Sequence, residues 1–337
     1  MPRRFAGNLP RFSGLLLGIC ILLACIWASL AYGLTPISWA DVYHSFTQYD
    51  PSSNEQIIVQ TTRVPRALAA ASIGASLAVA GSLTQGLTRN PLADASVLGI
   101  NYGASFMIVL AITQLSISSL PVLTAVSFLG ATIAATAVYL LSSLGRDSLT
   151  PLKIILSGAA LSALFSSFTQ GMLVLDEQGL DSVIFWLTGS VAGRSLDMLK
   201  AVLPLMILSW LAALWIAPHM NILAMGTNAA QGLGQKTGFM KLIAGFIIVA
   251  LAGSSVAVAG PIGFIGLIVP AVARWFSGND YRWIIPYSAV LGAILVLAAD
   301  IAARFVIRPE ELPVGIMTAL IGIPMFIAIA RKGALKS

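Results

Sequence analysis

Apolar residues in this chain do not alternate with polar ones; they run in long unbroken blocks separated by short polar breaks. Ten blocks stand out, at about 13–32, 65–83, 97–115, 121–142, 152–175, 199–217, 242–259, 262–276, 284–303 and 312–330. Strands that cross a bilayer read as alternating segments of about ten residues, whereas continuous apolar runs of about twenty read as helices. The pattern therefore predicts an all-α polytopic membrane protein, one transmembrane domain over 1–337 with about ten spanning helices. The eighth block is the shortest and is rich in Gly and Pro. The first is flanked by Arg3 and Arg4 as a secretory leader would be. Its apolar core is too long for one, so an uncleaved helix is expected.

Composition agrees. The 337 residues are 58% hydrophobic and 9% charged, against about 25% charged in soluble domains, so lipid must be the bulk solvent. Charge then sets the orientation. An even number of spans puts both termini on one side, and both are basic: Arg3, Arg4 and Arg11 at one end, Arg331, Lys332 and Lys336 at the other. With the termini in the cytoplasm, Arg89, Arg146, Lys153, Lys236, Lys241, Arg274 and Arg282 fall inside as well, making 13 of the 19 Lys and Arg residues. Arg63, Arg66, Arg194, Lys200, Arg304 and Arg308 fall outside, with most of the acids: Asp41, Asp50, Glu55, Asp176, Glu177, Asp181, Asp197, Glu310 and Glu311. Arg63, Arg66 and Arg304 thus stand at outer helix mouths against the trend. Two readings are open: snorkelling to lipid headgroups, or docking an acidic partner through the planar guanidinium fork. Asp300, four residues before Arg304, is expected to pair with it.

Two stretches are wrong for lipid-facing helices. In RNPLADASVLGINYG (89–103), Pro91 turns Asn90 away from helix and Asp94 can cap the next helix. In GPIGFIGLIVP (260–270), Gly260, Gly263 and Gly266 allow close helix approach, and the prolines leave carbonyls unpaired. Irregular backbone at this depth survives only against protein or a water-filled cavity, so both segments are expected inside the bundle. The fifth block carries Ser162, Ser166, Thr169 and Gln170 on one helical stripe, with Asn101 early in the third block as a further polar candidate. Interhelical packing and lining of a pathway both fit such residues.

Several chemistries find no support. The net charge of +6 comes without a basic cluster interleaved with aromatics, so no nucleic-acid partner is expected. Cys20 and Cys25 share one apolar block, and His44 and His219 are far apart, so neither a disulfide nor a metal site is indicated. A Walker loop needs Gly-Lys-Ser/Thr in sequence, whereas Gln235 separates Gly234 from Lys236-Thr237. Energy for transport must come from elsewhere. The longest cytoplasmic connection, 220–238, holds two short helix-compatible pieces, 221–225 and 229–233, with glycines between and after them, and suits docking of a cytoplasmic subunit.

RVPR (63–66), GASLAVAGSLTQG (74–86), RNPLADASVLG (89–99), GPIGFIGLIVP (260–270) and ELPVGIMTALIGIP (311–324) together resemble the permease subunits of type II ABC importers, the FecCD type that takes up ferric siderophores, haem and cobalamin. The resemblance spans about 15–332. It implies a prokaryotic cytoplasmic-membrane protein of ten helices that pairs with a second permease, identical or paralogous. It further implies two cytoplasmic ABC ATPases and an extracytoplasmic substrate-binding protein. No cofactor would be bound by this chain, ATP and magnesium acting on the ATPase. By the same resemblance Arg63, Arg66 and Arg304 occupy positions that meet carboxylates of the binding protein. The 220–238 loop would seat the ATPase, with Asn221, Met225, Gly226, Gln231, Leu233 and Gly234 as candidates. The fifth helix would line the pathway, with Thr150, Pro151 and Leu152 at its cytoplasmic gate. Ala271 follows Pro270 where many members carry histidine, so any role of that side chain is absent.

Within the family, FWLTGSVAGRS (185–195) favours a ferric siderophore, with cobalamin and haem as alternatives. No His, Met or Tyr set is spaced to bind iron, which suits carriage of an intact chelate. A secondary carrier would need titratable residues at the midplane, and an intramembrane enzyme a nucleophile–base or metal pair. The sequence offers neither.

Overall fold

The computed structural model describes residues 8–117, 119–144, 150–175, 186–307 and 310–334. Arg3, Arg4, Arg146, Asp176, Glu177, Asp181, Phe185, Arg308 and Lys336 lie outside them, as do the side chains of Pro151 and Lys332.

Each of the ten apolar blocks falls on a helix. Seven helical stretches are long and apolar enough to cross a membrane, and three shorter apolar helices complete the ten. In chain order the helices are α1 (Asn8–Ala31), α2 (Trp39–Thr47), α3 (Asn54–Ile58), α4 (Val64–Thr88), α5 (Ile100–Thr113), α6 (Leu120–Ser143) and α7 (Pro151–Leu175). They continue with α8 (Leu196–Ala224), α9 (Thr227–Gly232), α10 (Thr237–Ala259), α11 (Ile265–Ser277), α12 (Tyr281–Val306) and α13 (Val314–Ala334). The spans overrun the apolar blocks because a helix continues beyond the hydrocarbon, about 30 Å thick at 1.5 Å per residue.

The helix α4 is the axis of the bundle. It packs against α1, α7, α8, α10, α11 and α12 and is buried over most of its length. Its sequence explains this: Gly74, Gly81 and a run of Ala and Ser leave little side chain to hold neighbours off. At Gly74 the α4 backbone meets that of Gly292 in α12, and at Gly81 it meets that of Gly266 in α11. A Cβ at Gly81 would collide with the Gly266 carbonyl, so only glycine permits these crossings. Gly103 and Gly130 make a third such crossing, between α5 and α6.

Both irregular segments lie inside the bundle. In the 89–99 segment, Asp94 accepts from Ala95 N–H at 2.7 Å and starts a 3₁₀ turn, Ala95–Leu98, before Gly99 at φ +70° opens α5. The Val97 carbonyl of that turn sits against Gly158 of α7. In the 260–270 segment, Ala259 O accepts from Ser190 N–H at 2.7 Å, and the Gly260 backbone lies against Trp186 O. Of its three glycines, Gly260 and Gly266 make close approaches while Gly263 faces open space. Pro270, inside α11, has no N–H for the Gly266 carbonyl. Gln85 of α4 supplies it instead, donating Nε2 to Gly266 O (3.2 Å) and Leu267 O (3.1 Å), while its Oε1 accepts from Arg274 Nη1 (2.5 Å).

Candidate functional site

A groove of about 610 Å³ runs along α7, walled by α5, the 3₁₀ turn, Leu187 and Pro261. Its polar lining is Ser162, Ser166, Thr169 and Gln170 from α7, with Asn101, Tyr102 and Ser105 from α5 and Ser96 from the turn. All five residues expected to line a pathway thus converge on one surface. Gln170 donates Nε2 to Ser166 Oγ at 3.1 Å, and Thr169 donates to the Phe165 carbonyl at 2.7 Å. Gly158 brings α7 against the turn, which places Ser96 and Val97 in the wall. The lining carries hydroxyls and amides but no formal charge. It can hydrogen-bond a hydrated polar cargo and offers no tight metal ligand. Among the described residues no group of three or more His, Cys, Asp or Glu could hold a metal ion. The groove is open along one flank, where its lining residues Tyr102 and Gln170 are exposed, and beside it α7 exposes Leu156, Leu164 and Phe168.

At the start of α7, Thr150 lies one turn below this groove. Its carbonyl accepts from Ile154 N–H at 3.3 Å and its hydroxyl from Lys153 N–H at 3.4 Å, while Leu152 is exposed.

The three outer arginines converge, but not as expected. Arg63, Arg66 and Arg304 are only 5%, 8% and 1% exposed. This corrects the expectation that they present themselves at the membrane surface. RVPR is not a helix mouth: α3, a π-helical turn (Val59–Arg63) and α4 are continuous, with Pro65 in the first turn of α4 and the arginines turned inward. Arg63 donates to the carbonyls of Leu30 and Ala31, both at 2.7 Å, and of Thr35, closing the C-terminal end of α1. Arg66 grips Asp300 through Nε (3.0 Å) and Nη2 (2.8 Å) and reaches Glu311 with Nη1 at 2.6 Å. Arg304 pairs with Asp300, as its i, i+4 position suggested, and donates to Ser29 O (2.8 Å) and Tyr32 O (2.6 Å). Asp300 therefore clasps two guanidiniums between α4 and α12, and Glu311 ties in the segment leading to α13. Three cations face two carboxylates here. Sequence reasoning missed Glu311 and the Arg66–Asp300 bond, because a partner more than two hundred residues away leaves no local signal.

The 220–238 connection also differs from expectation. Residues 221–225 are not a separate piece: α8 continues to Ala224. Asn221 is internal glue, donating to Asp280 Oδ1 at 2.7 Å and accepting from Tyr281 N–H at 2.8 Å, which pins α8 to the start of α12. The second piece is α9, entered through Gly226 at φ +115° and left through Gly234 at φ +77°. Gln231 donates to Thr237 at 3.4 Å, and Ala230 is the buried residue of α9 itself. Met225 and Leu233 flank the helix 69% and 65% exposed, so an ordered element presents two large apolar side chains outward.

Comparison with known proteins accords with this architecture. The model of the FecCD transport family matches residues 21–332. The "Probable siderophore transport system permease protein YfiZ" of Bacillus subtilis (strain 168) is 52% identical over 316 residues, covering 94% of this chain and 95% of that protein. The Fe(3+)-citrate import system permease protein YfmD of the same organism is 39% identical, covering 98% and 97%. The ferric enterobactin transport system permease protein FepD of Escherichia coli (strain K12) is 38% identical, covering 94% of each chain. Among solved structures, the one titled "An inward-facing conformation of a putative metal-chelate type ABC transporter" superposes with a TM-score of 0.84 at 30% identity, covering 95% of this chain and 99% of that one. The all-helical fold is that of a type II ABC importer permease.

Proposed function

The chain belongs to the FecCD transport family, and we propose that within it the protein is the permease that carries a ferric siderophore, as an intact chelate, along the α7 groove into the cytoplasm. The observation that supports this most is the convergence of Asn101, Ser162, Ser166, Thr169 and Gln170 on one uncharged polar groove. An intact chelate needs hydrogen bonds that form and break, not ligands that strip its iron. The open flank and the exposed face of α7 suit closure by a second permease subunit, identical or paralogous. Both termini lie in the cytoplasm in this reading, following the bias of Lys and Arg. Met225 and Leu233, flanking α9, face a separate ATPase there, and Gly226, Gln231 and Gly234 set the angle of that element. Asn221 acts behind them by fixing α8 to α12. Hydrolysis of ATP with magnesium belongs to that ATPase, and this chain binds no cofactor of its own. Thr150, Pro151 and Leu152 gate the inner end of the groove. An external binding protein docks over the Arg63, Arg66 and Arg304 cluster. Glu311, the less buried of its two carboxylates, is the one whose place a partner's carboxylate takes.

Co-purification with the proteins encoded beside it tests the reading. An ATPase that co-purifies and hydrolyses ATP faster with chelate-loaded binding protein is the expected result. Chelate uptake by vesicles that hold this chain and no ATPase would overturn it.

A further inference from the structure

We propose that α2 is an interfacial helix, lying in the headgroup layer of the membrane with an aromatic face turned to lipid. Its nine residues divide into three arcs at about 100° per residue. Val42 and Ser45 form the arc buried against the bundle. Asp41, His44 and Thr47 form a polar arc. Trp39, Tyr43 and Phe46, spaced i, i+4, i+7, share the remaining arc, about 60° wide, and all three are exposed. A helix so divided meets three surroundings: protein, water and a third that accepts aromatic rings.

Position identifies the third as lipid. The 24 residues of α1 make about 36 Å of helix against a hydrocarbon core of about 30 Å, long enough to reach the headgroups. This helix packs on α12 and α4, whereas α7, with the flank assigned to a second permease, packs on α5 and α6. Leu17, Leu23 and Trp27 of α1 are exposed along its length. Tyr32, just past its end, is exposed too, and its ring meets that of Trp39 edge-on with centroids 5.6 Å apart. The aromatic arc of α2 thus continues the lipid-facing side of a spanning helix at the depth where that helix leaves the hydrocarbon. Trp and Tyr rings settle at that depth, body in the apolar layer and polar edge toward water. A helix with such an arc lies in the plane of the interface. Gln60 donates Nε2 to the Ser45 carbonyl at 2.8 Å, tying α2 to the π-helical turn that ends at Arg63. Seated in the headgroups, α2 sets the height of the arginine cluster relative to the membrane. Only the name of the leaflet, the outer one, draws on the proposed orientation.

Spin labels read the three arcs directly in the assembled transporter, held in nanodiscs of phosphatidylglycerol and phosphatidylethanolamine. Cys20→Ala and Cys25→Ala remove the native thiols, and single cysteines then carry the label. Oxygen, which concentrates in lipid, is expected to relax labels at Tyr43→Cys and Phe46→Cys more than a water-soluble nickel chelate does. The order reverses at His44→Cys and Thr47→Cys. Nickel access at 43 and 46 equal to that at 44 and 47 places the aromatic arc in water and overturns the proposal. Low access to both reagents at 43 and 46 means that protein covers the arc, and overturns it as well. So does protection that appears only when chelate-loaded binding protein is added. The unlabelled chain gives a second reading: brominated lipid is expected to quench a smaller share of the tryptophan fluorescence once Trp39→Phe removes that ring, and an unchanged or larger share refutes the contact. No transport step enters either measurement, so failure here leaves the proposed function standing.

Discussion

Replacing Asp300 with asparagine keeps the shape of the side chain and removes the charge that two buried guanidiniums share. Arg66 loses the anion behind its bonds at 3.0 and 2.8 Å, and Arg304 loses the one carboxylate it pairs with among the described residues. The new amide NH₂ is a donor facing donors. Glu311, touching Arg66 alone, is the one carboxylate left in the cluster among the described residues. Removing one partner of a buried ion pair costs about 3–5 kcal/mol, chiefly because the survivor keeps its desolvation penalty. Partial solvent access at Glu311 puts the expected loss at the lower end, about 3 kcal/mol, read from equilibrium unfolding in mixed micelles. The double variant Asp300→Asn/Arg304→Gln removes one orphaned charge and should fall short of the sum of its parts by about 1–2 kcal/mol. Wild-type stability of Asp300→Asn, or strict additivity in the double variant, would refute the clasp as a structural element.

Other perturbations draw on the same geometry. Gly81→Ala drives a methyl into the Gly266 carbonyl and must part α4 from α11; a loss of about 1–3 kcal/mol in the same unfolding assay is expected, and none would mean the crossing is looser than described. Gln85→Leu leaves the Gly266 carbonyl without its donor, at a cost of about 1–3 kcal/mol. Adding Pro270→Ala restores the N–H within α11 and should recover part of that loss; no recovery would separate Gln85 from the proline. Asp94 tests pH dependence. Burial pushes its carboxyl from 3.8 up to about 6, so the fold favours the protonated acid. Its stabilising contribution is full below pH 3.8 and lost as pH rises through 6. Asp94→Asn, neutral throughout, should be more stable than wild type at pH 7.5, by about 1–2 kcal/mol given the residue's residual solvent contact, with the gap closing by pH 4. A gap constant with pH would contradict this.

The features legible in the sequence are the local ones. Apolar runs located the seven long apolar helices and the three shorter ones among the described residues, since helix length in a bilayer depends on the run itself. The stripe of Ser162, Ser166, Thr169 and Gln170 was visible because helical spacing fixes a shared face, and Asn101 joined it in the groove. The i, i+4 spacing gave the Asp300–Arg304 pair. The direction in which Arg63 and Arg66 point was not legible. It depends on the open carbonyls at the end of α1 and on a carboxylate in α12, joined only in the folded bundle. Asn221 was misplaced for a similar reason, since the apolar signal stops at 217 while α8 runs on to Ala224. Gln85 was findable in principle: a proline inside an apolar helix frees a known carbonyl, and a polar residue buried in a neighbouring helix is a candidate donor.

The central claim, passage of an intact chelate along the α7 groove, is tested most directly in proteoliposomes holding the permease with its ATPase, loaded binding protein and ATP. Ser162→Trp narrows the groove at the first residue of its polar stripe. Iron-chelate uptake should fall at least about tenfold while the complex still assembles and hydrolyses ATP. Uptake at the wild-type rate through a groove so narrowed would contradict the account.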